Sequence, residues 1–131
     1  MSALSDADSA SFLNRFGGFH DAVIRRVIIE FTRDRARRTA TIEILARDGH
    51  HGGQWVLCQL LLRRLSELAV SEGRSTYLVL YGGIQLAWIA DTVFVDFGSY
   101  TEHAATPESF RESHFYFAGA SLEWDIGAYE E

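Results

Sequence analysis

A histidine and an aspartate stand side by side at His20 and Asp21, directly after Phe19. A carboxylate bonded to an imidazole fixes its tautomer and raises its basicity, as a general base requires. Adjacent strand residues point to opposite faces, so the two side chains would not touch within a strand. We therefore expect a structural pair, with Asp21 accepting backbone N–H bonds and His20 half-buried. A ligand-binding or hydrolytic pair is the alternative.

His50 and His51 follow Asp48 in a glycine-rich segment. Neutral imidazoles bind zinc or nickel, but a structural metal site needs about four ligands in fixed geometry. Three glycines in six residues favour a solvated loop over such a rigid frame. We expect no metal and no cofactor here.

Cys58 is the only cysteine, which excludes an internal disulfide and a cysteine-based zinc site. It lies in an apolar run, where burial raises a thiol pKa, so we expect a core residue and not a nucleophile. The chain has no lysine for a Schiff base and no Gly-x-Ser-x-Gly sequence. The sequence thus predicts no catalytic residue, and an enzyme is the less favoured class.

Two tryptophans lie near acidic residues where strands are predicted to end. Trp88 precedes Asp91, and Trp124 lies between Glu123 and Asp125. Most aromatic residues of a small β domain form its core, but tryptophans beside charges at strand ends also suit a partner surface. The candidate binding residues are His20, Asp21, Trp88, Asp91, Glu123 and Trp124.

All 12 basic residues are arginines, and the net charge is −6. Residues 1–66 carry a charge of +3 and residues 67–131 carry −9. An acidic chain repels phosphate backbones, so we expect no nucleic-acid partner. The arginines between Arg25 and Arg38 could clamp phosphates or a carboxylate-rich partner. Because only Phe31 lies beside them, we favour a solvated hairpin tip that protects a strand edge.

The 131 residues fit one domain, with an N-terminal helical segment over 1–16 and a β-rich body over 20–126. Hydrophobic residues make up 47% of the chain, which excludes wholesale disorder. No apolar run is long enough for a membrane helix, and the N-terminus lacks the pattern of a signal peptide. We therefore expect a cytoplasmic protein without a membrane partner.

Alternating side chains predict a mainly β architecture, an antiparallel meander or sandwich of about seven or eight strands. A capped helix over 6–16 precedes it, and Thr106-Pro107 starts a short helix over 107–112. Gly82-Gly83 predicts a two-residue hairpin turn inside a three-strand meander over 77–97. The predicted strands are 27–31, 40–46, 77–81, 84–89, 92–97, 114–117 and 121–126.

Residues 55–72 fit two structures. Leu57, Leu61, Leu65 and Leu68 have helical spacing, which predicts an amphipathic helix and an α+β fold. Two strands, over 55–62 and 65–71 with a bend at Arg63-Arg64, are the alternative, because the segment begins with strand-favouring Trp, Val and Cys.

The Phe19-His20-Asp21 triplet, with the segment Leu-Leu-Leu-Arg-Arg-Leu-Ser-Glu-Leu-Ala-Val over 60–70, resembles small bacterial β-rich domains of unknown function. Some of these lie near polymorphic-toxin immunity proteins. The likeness extends over roughly residues 16–126 and favours two strands at 55–72. It implies a non-enzymatic protein-interaction domain, in which the acidic half 67–131 would block a basic toxin enzyme. Assembly of copies into a homo-oligomer is a further possibility.

Overall fold

Two antiparallel sheets and two helices account for most of the chain. The computed structural model describes residues 1–71, 79–98 and 101–128. The helices are α1 (Asp6–Arg15) and α2 (Pro107–Arg111). The described strands are β1 (Ser2–Leu4), β2 (Ala22–Glu30), β3 (Thr39–Asp48), β4 (Gln54–Arg63), β5 (Glu67–Val70), β6 (Val79–Leu80), β7 (Gln85–Ile89), β8 (Thr92–Asp96), β9 (Phe115–Gly119) and β10 (Ser121–Ala128).

The ten described strands, slightly more than expected, confirm the mainly β prediction. The strand order is β1-β10-β4-β3-β2-β6 in the first sheet and β5-β9-β8-β7 in the second. Side chains from both sheets meet in one main core, among them Ile42, Leu60, Val95 and Phe117. A smaller core lies on the other side of the second sheet, where Phe110 of α2 is fully buried.

The described part of the segment 55–72, which ends at residue 71, contains β4 and β5 and no helix. Along β4 the side chains of Val56, Cys58, Leu60 and Leu62 are buried in turn, which is the period of two expected for a strand with one core face. The chain bends after Arg63, and β5 then joins the second sheet beside β9. The four-residue spacing of the leucines also fits a strand, because every second residue shares a face.

The expected three-strand meander is wrong in its first pairing. Val79 pairs with Val23 of β2 in the first sheet, whereas β7 pairs with β8 in the second. Gly82-Gly83 therefore carries the chain from one sheet to the other. A side chain at Gly83 would place its Cβ 2.2 Å from the Gly18 carbonyl oxygen, so this crossing requires glycine. Residues 77 and 78 of the predicted strand lie outside the described residues.

The outer face of the first sheet has no described element packed against it. By strand alternation it presents Ile28, Leu45, Leu57 and Leu61, all half-buried, and the exposed Trp55. Neither described helix is long and apolar enough to cross a bilayer. The apolar side chains on this face are of the kind that a partner surface can cover.

Candidate binding cleft beside His20

A loop of unusual backbone conformation leads into β2. Gly17, Gly18, Phe19 and Asp21 all have positive φ, between 60° and 68°. A left-handed conformation costs a non-glycine residue about 1–2 kcal/mol, so Phe19 and Asp21 are strained. Full burial of the Phe19 ring holds the loop in place. Backbone strain of this kind is concentrated at binding and catalytic sites.

The same loop presents His20 and Asp21 to solvent. The Asp21 N–H donates to the Leu80 carbonyl at 2.8 Å, and the His20 Nδ1 lies 3.3 Å from the Tyr81 carbonyl. A carbonyl only accepts, so this contact requires a proton on Nδ1, and in the neutral ring Nε2 is then an acceptor. His20 is exposed and not half-buried as expected, and the Asp21 carboxylate accepts no backbone N–H from a described residue. The two side chains make no hydrogen bond to each other. Strand geometry did not apply, because both residues precede β2.

His20 borders a concavity of about 590 Å³, which we call the His20 cleft. Its walls include Asp21, Arg15, Arg47 and Trp55. The Arg47 guanidinium lies 5.2 Å from the centre of the Trp55 ring, and Trp55 is 43% exposed. The cation favours this position of the ring at the rim, because the ring face attracts positive charge.

A buried ion pair holds the wall formed by Arg15. The Arg15 Nε and one terminal nitrogen each lie 2.8 Å from an oxygen of the fully buried Asp48 carboxylate. The His50 backbone N–H and the His51 Nδ1 bond to the same carboxylate. The bond from Arg15 holds the pKa of Asp48 well below its ordinary range, and the pKa of Arg15 is raised in turn. The pair ties α1 to the loop between β3 and β4.

A second cavity of about 580 Å³ lies on the other side of His20 and is also lined by Asp96. The buried Asp96 carboxylate accepts from Ser113 Oγ at 2.6 Å and from the Gly98 N–H at 2.8 Å. The His103 Nε2 lies 2.7 Å from its second oxygen. The serine bonds to the carboxylate and not to the imidazole, so the three side chains lack the order of a nucleophilic triad.

Trp124 and Glu123 take part in internal contacts. The Trp124 ring packs edge-on against Phe12 at 5.1 Å, and the Arg15 guanidinium lies 5.1 Å from its centre. The Arg63 Nε donates to Glu123 at 3.1 Å. Glu123 and Trp124 lie on β10 and do not line the His20 cleft.

Trp88 and Asp91 lie on the β7–β8 hairpin. The half-buried Trp88 packs against the main core. Asp91 is exposed in the two-residue turn after Ala90, which has a positive φ. The structure thus brings His20 and Asp21 together but leaves the other four candidates elsewhere, and their role in binding stays a prediction.

The metal and thiol candidates have structural surroundings. His51 bonds to Asp48, and the described residues contain no group of three or more His, Cys, Asp or Glu side chains that could hold a metal ion. Burial raises the pKa of the Cys58 thiol to about 12, so the reactive thiolate is suppressed near neutral pH.

The acidic half is only partly available to a partner. Glu67 forms a bidentate pair with Arg111, and Asp96 is buried. Five exposed carboxylates of this half have no ion pair within the described residues: Asp91, Glu102, Glu108, Glu112 and Asp125.

Trp55 and Arg47 were not among the candidate residues from the sequence, although a signal for their pairing existed. They face each other across the β3–β4 hairpin, on the two sides of the glycine-rich segment. If the predicted strands 40–46 and 55–62 are paired as a hairpin through that loop, Arg47 and Trp55 lie opposite each other.

The sequence matches no protein-family model, no curated protein and no solved structure.

Proposed function

We propose that the protein is a non-enzymatic protein-interaction domain that binds its partner at the His20 cleft. The observation that carries this proposal is the exposed Trp55 ring, which Arg47 favours in its position at the rim of a concave site. Tryptophan and arginine are enriched among the residues that dominate binding energy. A side chain held in place before binding also loses little entropy on association.

Two further features support a protein partner. The strained loop presents His20 and Asp21 as fixed polar groups inside the cleft. Beyond Trp55, the outer face of the first sheet continues with half-buried leucines such as Leu45 and Leu57. The next row of this face is polar, with Gln59 between Glu43 and Asp125, and apolar side chains bordered by polar groups are found in protein interfaces.

Within this class we propose an immunity-like role in the cytoplasm, with a toxin enzyme as the partner. The net charge of −6 attracts a basic partner over long range and accelerates encounter. Co-expression with the product of each gene adjacent to its own tests the role: one of these products should arrest growth, and this protein should restore it. Absence of rescue in every pairing would contradict the role.

A matched pair of variants tests the cleft. Trp55→Ala should weaken binding of the rescued toxin by about 30-fold or more, the effect of losing a dominant interface residue. Phe31→Ala is the control, because Phe31 is also an exposed aromatic, at 70%, but lies beyond the opposite end of β3. Equal losses in the two variants would contradict a site at the cleft.

Two further measurements separate this proposal from its alternatives, a hydrolytic or ligand-binding domain and a homo-oligomer. A hydrolytic or ligand-binding role for His20 and Asp21 predicts that His20→Ala abolishes an activity while binding of a protein partner is absent. A homo-oligomer predicts a solution mass above 14.7 kDa. Light scattering at the concentration of the binding assay should give the monomer mass if the cleft serves another protein.

A further inference from the structure

Half of the arginines gather at one end of the first sheet. Thr39 of β3 pairs with Arg63 of β4, and the Leu65 N–H donates to the Arg38 carbonyl at 3.0 Å. The loop before β3 and the bend after β4 therefore lie side by side, although they are far apart in sequence. Together they form what we call the arginine pole: Arg33, Arg35, Arg37, Arg38, Arg63 and Arg64.

The arginine pole encloses a concavity of about 420 Å³ lined by Arg37, Arg63 and Arg64. Thr39 and Ser121 complete its polar wall. Both pair with Arg63, one from each side, so the three side chains form a row across the outer face of the sheet. Neither hydroxyl makes a hydrogen bond to any described residue.

Most N–H groups of the three guanidinium groups in the pocket wall form no hydrogen bond to a described residue. Arg63 uses only its Nε for Glu123, at 3.1 Å, and its terminal nitrogens bond to no described residue. The Asp34 carboxylate is 3.8 Å from Arg37, beyond hydrogen-bond distance. Arg64 has no ion pair among the residues that the structure describes. Three cationic forks therefore remain able to bind an anion.

The backbone that carries these forks is held rigidly. Arg64 has a left-handed φ of 52°, which an arginine rarely adopts. The Ala120 N–H donates to the Arg63 carbonyl at 2.9 Å. A side chain at Gly119 would place its Cβ 2.8 Å from the same oxygen, so glycine permits this close approach. These backbone contacts bring the exposed side chains of Arg63 and Arg64 to one place before a ligand arrives, so little backbone entropy is lost on binding.

We propose that this pocket binds a phosphate group, either free phosphate or the phosphate of a small monoester. Guanidinium forks match pairs of phosphate oxygens. A tetrahedral dianion accepts hydrogen bonds from several directions, as the arginines and the flanking hydroxyls require, whereas a carboxylate accepts within one plane. The acidic chain repels a long nucleic-acid backbone but leaves this local pole able to attract one small anion.

The site is separate from the His20 cleft. Thr39 and Arg47 stand at the two ends of β3, and eight residues of strand span about 27 Å. Failure of one proposal therefore leaves the other intact, because neither Trp55 nor Phe31 lines the pocket of the arginine pole.

Isothermal titration at constant ionic strength tests the proposal with orthophosphate, adenosine 5′-monophosphate and adenosine. Saturable binding of one phosphate-bearing probe, with none for adenosine, supports it. Similar affinity for orthophosphate and the nucleotide identifies the free anion as the ligand, and tighter binding of the nucleotide identifies a monoester. Absence of saturable binding, or tighter binding of a tetraglutamate peptide than of either phosphate, would overturn it.

Matched charge removals locate the site. Arg64→Gln and Arg37→Gln should each weaken phosphate binding by about tenfold or more, the effect of losing a charge-assisted hydrogen bond. Arg33→Gln removes the same charge from the same pole but outside the pocket wall, and should change affinity less than about twofold. Equal losses in all three variants would show diffuse attraction and refute a built site.

Discussion

Replacing Asp48 by asparagine removes the buried charge that joins α1 to the loop between β3 and β4. The carboxylate accepts four hydrogen bonds, from two nitrogens of Arg15, from the His50 N–H and from the His51 ring. The asparagine oxygen keeps the two bonds of one carboxylate oxygen. The asparagine amide nitrogen then faces the donors of the second pair of bonds, and the largely buried Arg15 cation loses its counter-ion.

The expected loss follows from burial. Asp48 has no exposed side-chain surface, and the Arg15 side chain is 16% exposed. Breaking a buried ion pair on one side costs about 3–5 kcal/mol in the free energy of unfolding. For a domain of this size that corresponds to a fall of roughly 10–20 °C in Tm.

A second ion pair of the same geometry provides the control. Arg111 also binds Glu67 through two nitrogens, at 2.8 and 2.9 Å, but these side chains are 50% and 28% exposed. Glu67→Gln should therefore change stability far less than Asp48→Asn, because water screens an exposed pair. Urea unfolding followed by circular dichroism measures both variants. Equal losses, or an Asp48→Asn loss below about 1 kcal/mol, would refute the argument from burial.

The pH dependence of the stability of Asp48→Asn tests the direction of the Asp48 pKa shift. The pKa of Asp48 is lowered in the folded state, so the pair stabilises the protein fully above the unfolded carboxyl pKa of about 3.9. That stabilisation is lost as the pH falls through the folded pKa. The stability difference between the natural protein and Asp48→Asn should thus shrink as the pH falls from 5 toward 2.5. A difference that grows in acid would contradict the assignment.

Two further outcomes follow from burial and backbone geometry. Cys58 should react with a thiol reagent at pH 8 only as fast as the protein unfolds, because the thiol is fully buried and has a pKa of about 12. Rapid labelling of the folded protein would contradict this. Gly83→Ala should destabilise more than Gly17→Ala, by roughly 1–3 kcal/mol in urea unfolding. Both positions have positive φ, but only at Gly83 would the new Cβ meet backbone, at Gly18, and equal losses would exclude that clash.

The fold was predictable where one face of a strand is buried. The alternation of Ala40, Ile42, Ile44 and Ala46 predicts β3 because each of these side chains enters the core. Helix α2 was also predictable from the sequence, because Thr106 caps the helix and its hydroxyl accepts the Ser109 N–H.

Sheet membership was not predictable by such local rules. Gly82-Gly83 has the composition of a hairpin turn, but its contact with the Gly18 loop directs the chain into the other sheet. Strand β1 was also missed, because its three residues form a strand only through pairing with β10. Both features depend on contacts between distant segments.

Part of the His20 cleft could be predicted from the sequence. His20 and Asp21 were recognised by residue type, but their exposure results from a left-handed backbone that the sequence does not reveal at Phe19 and Asp21. Asp48 was noted as a possible metal ligand, whereas its actual partner, Arg15, lies 33 residues away on α1. Long-range pairing of this kind has no local signature.

Hydrogen exchange of the protein with and without a toxin that it neutralises in co-expression tests the central claim most directly. Binding at the His20 cleft predicts new protection of amides in residues 17–22 and 47–55, with little change at residues 33–38. Protection confined to residues 107–112 or to the arginine pole, with the cleft unchanged, would contradict it.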